Sequence, residues 1–401
     1  MIHDIRRIAE EKGVVVALLQ DLQGPKIRVG ELPKSGVDLK AGEEVWFSTR
    51  EVVLPEIRVQ CPDFEQFVEV GMEMLLDDGN ISVEISKVDK EGGRVAGIVR
   101  NGGVLTSHKG LAVRGANFTV PALTEKDLRD LEFGLSMGID AVALSFVRGS
   151  ADLENLCGAI ATYNVMHGLS HVPQVVAKIE RHEALMVMGE ILAVTDVVMV
   201  ARGDLGLDIP IEKLPIVQKE LIAKCREVYV PVVVATQMME SMILHAMPTR
   251  AEVSDVANAV IDHADAVMLS GETANGSHPV EVVEVMSRVV REAEESVFDN
   301  TVLTDGLRER LGGAELFGGL VKAVAGGVRA VVITSATMEI VRRVAALRLE
   351  VDVYAVAGSH EEAAAYQFVW GIQPVMGGVS GLGGKVVYVD AVKREMKIEG
   401  A

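Results

Sequence analysis

The chain is short of cysteine, of positive charge and of long apolar runs, and each shortage removes a class of function. Cys61, Cys157 and Cys225 are an odd number without paired or metal-ligand spacing. That excludes a disulfide scaffold and a cysteine-held metal, and it fits reduced thiols in a cytoplasmic protein. Lys and Arg number 39 against 58 Asp and Glu, a formal charge of −19. So acidic a chain repels phosphate backbones, which excludes nucleic acid as a partner. A small anionic substrate is then expected to need local cations or a metal. No apolar run reaches the length of a membrane span, and the first residues lack the apolar core of a signal peptide.

What is present is a large apolar fraction, 49% of 401 residues, enough for two or three domains. Six apolar runs turn polar at their carboxyl ends: Val14–Asp21, Ala141–Arg148, Gln174–Glu180, Val197–Asp204, Pro231–Gln237 and Ala266–Glu272. Amphipathic stretches lie between most of them, including Arg181–Leu192, Leu214–Glu227 and Thr249–Asp262, the last opening with a Thr249/Glu252 capping box. The alternation predicts a parallel α/β domain. A closed barrel of this kind uses eight strands, so six runs predict either an open sheet or a barrel lacking its first two βα units. Ile2, Ile5, Ile8 and Ala9 give the N-terminus a helical spacing, which favours the second choice.

Between the first two runs, Glu44–Phe47, Ile81–Val88 and Val95–Val99 alternate as short strands, and Asp77-Asp78-Gly79-Asn80 reads as a hairpin. This predicts a small inserted β domain. Asp299–Gly319 reads as a linker. Ala330–Ser335, a helix through Leu349, Val351–Ala357, a helix near Glu361–Val369 and Lys385–Asp390 then predict a small C-terminal α/β domain. The expected boundaries are 1–22 with 120–295, 23–119, and 296–401.

The chemistry concentrates at the run ends. Lys178 and Glu180 end the third run and Asp204 the fourth, so two carboxylates and an ammonium are expected on one rim. Such a rim suits a divalent cation holding an anionic substrate, with Lys178 offsetting charge that develops on a transferring group. A structural ion-pair network is the plainer alternative. Gly203 leaves room for an oxyanion beside the backbone. Thr236, ending the fifth run, offers a hydroxyl for proton relay or a simple cap. Ser270, Glu272 and Thr273 read equally as a loop cap. Lys26 and Arg28 after Gly24-Pro25, and Lys109 in Ser107-His108-Lys109-Gly110, stand at the two crossings to the inserted domain. They fit either a phosphate clamp or solvated turns. His171, His245 and His263 have no ligand-spaced partner and read as structural or surface residues.

At this point the chain resembles the pyruvate kinase family. The resemblance rests on Asp-Leu-Gln-Gly-Pro-Lys-Ile-Arg (21–28), Leu-Leu-Asp-Asp-Gly (75–79), Pro-Ala-Leu-Thr-Glu-Lys-Asp (121–127), Lys-Ile-Glu (178–180) and Ala-Arg-Gly-Asp-Leu-Gly (201–206). It continues through Ala-Thr-Gln-Met-Met-Glu-Ser-Met (235–242), 248–260 and 266–276. It implies a (β/α)8 TIM barrel with a β-barrel lid inserted after the third strand and a C-terminal α/β domain. It also implies phosphoryl transfer from phosphoenolpyruvate to ADP in glycolysis, giving pyruvate and ATP, in a cytoplasmic homo-oligomer, the family's tetramer. Carried over, Glu180 and Asp204 hold Mg2+ or Mn2+. Lys178 stabilises the transferring phosphoryl and the enolate, and Thr236 sits where the enolate is protonated. Gly203 and Asp204 meet the substrate carboxylate, and Arg28 and Lys109 meet the nucleotide phosphates.

Three departures from the family pattern carry expectations of their own. The family's Arg-x-Asn-x-Ser-His segment, from its second barrel strand, has no match here, which raises the alternative of a catalytically impaired or regulatory paralogue. Another metal-dependent barrel acting on enolpyruvate-type substrates is a third reading, and the insertion and Arg28 argue against it. Lys26 stands where K+-dependent members carry Glu, so with Asp21 and Leu22 it marks a monovalent-cation region in which K+ is expected not to be required. The C-terminal region, with Thr334-Ser335-Ala336-Thr337, matches the family's effector loop weakly, so sugar-phosphate activation is not expected.

Overall fold

The computed structural model describes residues 1–51, 54–116, 118, 120–299, 314–379 and 381–400. Each of the six apolar runs contributes one strand to a single parallel sheet, in sequence order: Leu19–Asp21, Ala141–Leu144, Gln174–Ile179, Val197–Ala201, Val232–Ala235 and Ala266–Val267. Alternate residues of these strands serve two apolar layers. Val142, Leu144, Val175, Ala177, Val198, Val200, Val232 and Val234 pack under the helices. Ala141, Ala143, Val176, Val197, Met199, Val233 and Ala235 pack on the opposite face, where Phe368 from the C-terminal region joins them. Burial on both faces explains why the runs read as continuously apolar.

Register is locked at the amino ends of the strands by a repeated device. Asp140, Asp196 and Asp265 each precede a strand and accept a hydrogen bond from the backbone N–H of a neighbour: Leu18 at 2.6 Å, Val175 at 3.0 Å and Val232 at 2.9 Å. Arginines cover the same end. Arg6 meets Asp140 at 2.6 Å, Arg342 donates to the Asp196 carbonyl at 2.8 Å, and Arg348 donates to the His263 carbonyl at 2.6 Å. The opposite, carboxyl rim carries Lys178, Glu180 and Asp204.

The capping box at Thr249 forms, starting the helix Arg250–Ile261, and Leu214–Glu227 is helical as read. Arg181–Leu192 is two five-residue helices, His182–Met186 and Met188–Leu192, broken at Val187. The first run is strand only over Leu19–Asp21 and the sixth only over Ala266–Val267.

Residues between the first two strands build a separate six-stranded sheet with its own core around Phe47, Ile57, Phe64, Met74, Val83 and Val99. The hairpin joins Glu73–Leu76 to Ile81–Asp89, and Asp77, Asp78 and Gly79 take left-handed φ values of 52°, 53° and 89°. Val37–Leu39 and Gly103–Leu105 add a two-stranded ribbon. Both crossings to this sheet converge on buried Asp127, which accepts from Gly24 N at 3.2 Å and from Thr124 N at 3.0 Å.

The C-terminal region is a second parallel sheet, ordered Ile372–Met376, Asp352–Ala357, Ala330–Thr334, Val386–Asp390, with an antiparallel edge at Glu395–Glu399. Two of these strands, 372–376 and 395–399, were not anticipated from the sequence. The expected linker is replaced over 314–319 by the helix Ala314–Ala325, and residues 300–313 lie outside the described residues.

Candidate active site

Three strand ends and one crossing turn bring the predicted charges together. Lys178 leaves the third strand with its ammonium 3.0 Å from Asp21 Oδ1, 2.8 Å from Ser145 Oγ and 3.1 Å from Glu180 Oε1. Glu180 is 1% exposed, and its other oxygen accepts from Phe146 N at 2.8 Å. Asp204, in the first turn of the helix Arg202–Asp208, is 2.9 Å from Lys26 Nζ. The cluster holds Asp21, Glu180 and Asp204 against Lys178 and Lys26, three negative charges to two positive.

The electrostatics follow from that excess. Burial pushes the Glu180 carboxyl up; Lys178 opposes the rise and the like charge of Asp204 adds to it. Burial pulls the Lys178 ammonium down, but Glu180 and Asp21 outweigh it and the net direction is up. A cation between Glu180 and Asp204 would cancel the repulsion between them. Both offer hard carboxylate oxygens, which fits a Mg2+- or Mn2+-sized ion completed by water and substrate oxygens.

Backbone strain marks the same rim. Phe146, Thr236 and Gln237 follow strands with φ of 58°, 70° and 54°. A bulky aromatic and a β-branched residue there cost on the order of 1–3 kcal/mol each unless surroundings hold them. At Phe146 the gain is the N–H delivered to Glu180. At Thr236 the hydroxyl accepts from Gly203 N at 2.7 Å.

A cavity of about 220 Å3 opens between this rim and the inserted sheet, with Lys26, Asp78, Phe146, Arg148, Glu180 and Asp204 in its wall. Arg148 and Arg181 tie the inserted segment down, donating to the carbonyls of Phe118 at 3.1 Å and Ala116 at 3.0 Å. Arg28 and Lys109 are not among the cavity residues. Arg28 donates to the His108 carbonyl at 2.8 Å, and Lys109 pairs with Asp77 at 2.5 Å. Leu22 is buried, and its carbonyl accepts from Ser145 Oγ at 2.7 Å.

Sequence reasoning passed over several residues that shape this site. Ser145 and Phe146 sit directly beyond an all-apolar strand, a position that signals a rim. Arg202, beside Gly203 and Asp204, is 7% exposed and joins the Thr236 carbonyl after the fifth strand to Gln218 and Asp255 on two helices. Glu272, left as a loop cap, is 2% exposed and accepts from Ser270 N at 2.8 Å and Met239 N at 3.2 Å. His182, Glu183 and Asp208 form a second group with ligand-type atoms within 4.8 Å of one another. Arg181 already lies 3.2 Å from Glu183 and 3.4 Å from Asp208, so the group is an ion-paired latch.

Comparison with known proteins points one way. The family model described as pyruvate kinase, barrel domain, matches residues 1–283. A protein named pyruvate kinase from Geobacillus stearothermophilus is 43% identical over 310 residues, 77% of this chain and 52% of the relative. Pyruvate kinase 2 from Synechocystis sp. is 40% identical over 379 residues, 93% of this chain and 62% of the relative. The chain thus spans between half and two thirds of the length of these relatives. A crystal structure of a pyruvate kinase from Cryptosporidium parvum superposes with a TM-score of 0.87 at 29% identity, covering 99% of this chain and 87% of that one.

Proposed function

The chain belongs to the pyruvate kinase family, and on that premise we propose that it transfers the phosphoryl group of phosphoenolpyruvate to ADP, giving pyruvate and ATP. The observation that carries the proposal is the Lys178–Glu180–Asp204 cluster, whose two carboxylates line the cavity and leave one negative charge in excess. In the reaction the P–O bond to the enol oxygen breaks, a P–O bond to the terminal ADP oxygen forms, and the enolate gains a proton at carbon.

Glu180 and Asp204 would hold the divalent ion, Mg2+ or Mn2+, which when bound supplies positive charge to the phosphoryl oxygens. Lys178 places an ammonium where negative charge moves from phosphoryl to enolate. Gly203 and Asp204 border the substrate carboxylate. Thr236 Oγ accepts from Gly203 N and so keeps its own O–H to donate toward the enolate carbon, directly or through water. Arg28 and Lys109 stand at the seam from which the nucleotide phosphates are met. The retention of every one of these groups leaves the impaired-paralogue reading without support.

K+ is proposed not to be required. Lys26 supplies an ammonium 2.9 Å from Asp204, and both groups of the cation region are already engaged, Asp21 by Lys178 and the Leu22 carbonyl by Ser145. The six parallel strands are read as six strands of a (β/α)8-type barrel, 1–22 with 120–295. Residues 23–119 form the lid and 296–401 the C-terminal domain. The acidic charge of −19 supports small-molecule partners over nucleic acid in a cytoplasmic homo-oligomer.

The test is 31P NMR of the 401-residue chain with phosphoenolpyruvate, ADP and Mg2+, in Na+ and then in K+. Conversion to ATP at similar rates in both is expected. No conversion in either overturns the activity, and a many-fold rise in K+ overturns the role given to Lys26.

A further inference from the structure

We infer that Arg202, braced by Asp255, is a positioning residue that holds Thr236 in its reactive orientation; the inference rests on the proton-delivery role proposed for Thr236. Arg202 follows the fourth strand and turns back under the rim instead of out toward the cavity. Its Nη2 donates to the carbonyls of Thr236 at 2.7 Å and Gln237 at 3.1 Å, and its Nε donates again to Thr236 O at 3.2 Å. Both of these residues are held in the left-handed region, at φ 70° and 54°.

The turn has a reason to need holding. A threonine at φ 70° is sterically disfavoured, and nothing in the local sequence supplies a glycine to relieve it. With both carbonyls directed at one guanidinium, the Thr236 hydroxyl is carried over Gly203 N–H at 2.7 Å. Its proton is thereby freed from that contact and can be donated elsewhere. An extended Thr236 would direct its carbonyl away from Arg202 and break the pairing with Gly203.

Arg202 is itself fixed from behind. Asp255, on the helix Arg250–Ile261, meets its Nη1 at 2.6 Å, and Gln218, on the helix Leu214–Glu227, lies at 3.4 Å. A planar fork is needed to reach two carbonyls and one carboxylate at once, and a lysine has one donor centre. The sequence Ala-Arg-Gly-Asp therefore serves two functions: Asp204 faces the metal side and Arg202 the proton side.

The experiment compares wild type with Arg202→Lys, Asp255→Asn and Thr236→Ala in two assays: phosphoryl transfer, and exchange of pyruvate methyl protons with D2O, which reports enolate protonation alone. Arg202→Lys is expected to lower exchange on the order of 10- to 100-fold with KM for phosphoenolpyruvate within about twofold. Asp255→Asn should give a smaller loss of the same pattern. Equal losses in KM and exchange, or exchange unchanged in Arg202→Lys with Thr236→Ala impaired, overturn the inference. If the wild type shows neither activity, the functional reading fails and a crystal structure of Arg202→Lys still decides this one. Residues 236–237 leaving the left-handed region supports it, and an unchanged turn overturns it.

Discussion

The parallel sheet and the inserted antiparallel sheet carry their charges in opposite ways. On the parallel sheet, charge is confined to the two ends of the strands: aspartates lock register at the amino end, and Lys178, Glu180 and Asp204 gather at the carboxyl end. Glu180 is almost wholly buried there. On the inserted sheet, pairs such as Arg100–Glu84 and Arg94–Asp89 lie along exposed strand faces. A buried cluster of uneven charge marks a candidate functional site, whereas an exposed, balanced pair contributes little to stability. The cavity lies where the two styles meet.

Breaking the comparison at its most charged point should have the largest effect. Lys178→Met is expected to lower kcat by about 10³-fold, whereas Arg100→Met on the inserted sheet leaves it within about twofold. Steady-state rates on both variants check this. Next in size is the hinge: Asp127→Ala removes the acceptor shared by Gly24 and Thr124, and urea unfolding should show a loss of about 3 kcal/mol. Glu84→Ala should cost under about 0.5 kcal/mol by the same measurement.

Cys61 sharpens the boundary between the sheets, because it belongs to the inserted sheet's core and lines the shared cavity. Burial, with Asp63 and Glu65 adding, pushes its thiol up to about 11. Alkylation of Cys61 by iodoacetamide should therefore rise roughly tenfold per pH unit between pH 8 and 10 and slow when substrate fills the cavity. The smallest effect belongs to Glu183. Burial acts to raise its pKa, but hydrogen bonds from Arg181 and its own N–H outweigh that and hold it below the ordinary 4.5. A lowered carboxylate contributes stability that is complete above its unfolded value and lost as pH falls below it. Glu183→Gln should flatten the stability profile below about pH 4.5 by under 1 kcal/mol, since solvent still reaches part of the side chain and screens the pairing.

The legible part of this molecule was whatever depends on local pattern. Continuous apolar runs marked the parallel strands because both faces are buried, and Asp77-Asp78-Gly79-Asn80 marked its hairpin because the turn needs left-handed residues. Lys178, Glu180 and Asp204 were legible because charge directly after such a run has to leave the core. Arg202 was not, because its importance lies in carbonyls 34 and 35 residues away. Strand 395–399 was missed because it is short and exposed along its whole length, so its two apolar residues, Met396 and Ile398, mark no buried face. Arg28 and Lys109 were legible as cations at the two crossings, but their partners, the His108 carbonyl and Asp77, were not, because those contacts depend on how the crossings fold.

The central claim is that carboxylates ending two neighbouring strands, Glu180 and Asp204, hold one divalent ion. Electron paramagnetic resonance of Mn2+ titrated into the chain with phosphoenolpyruvate present tests it most directly. The account predicts one bound Mn2+ per chain in the wild type and loss of that site in both Glu180→Gln and Asp204→Asn. A full site in either variant, with its melt unchanged, would contradict it.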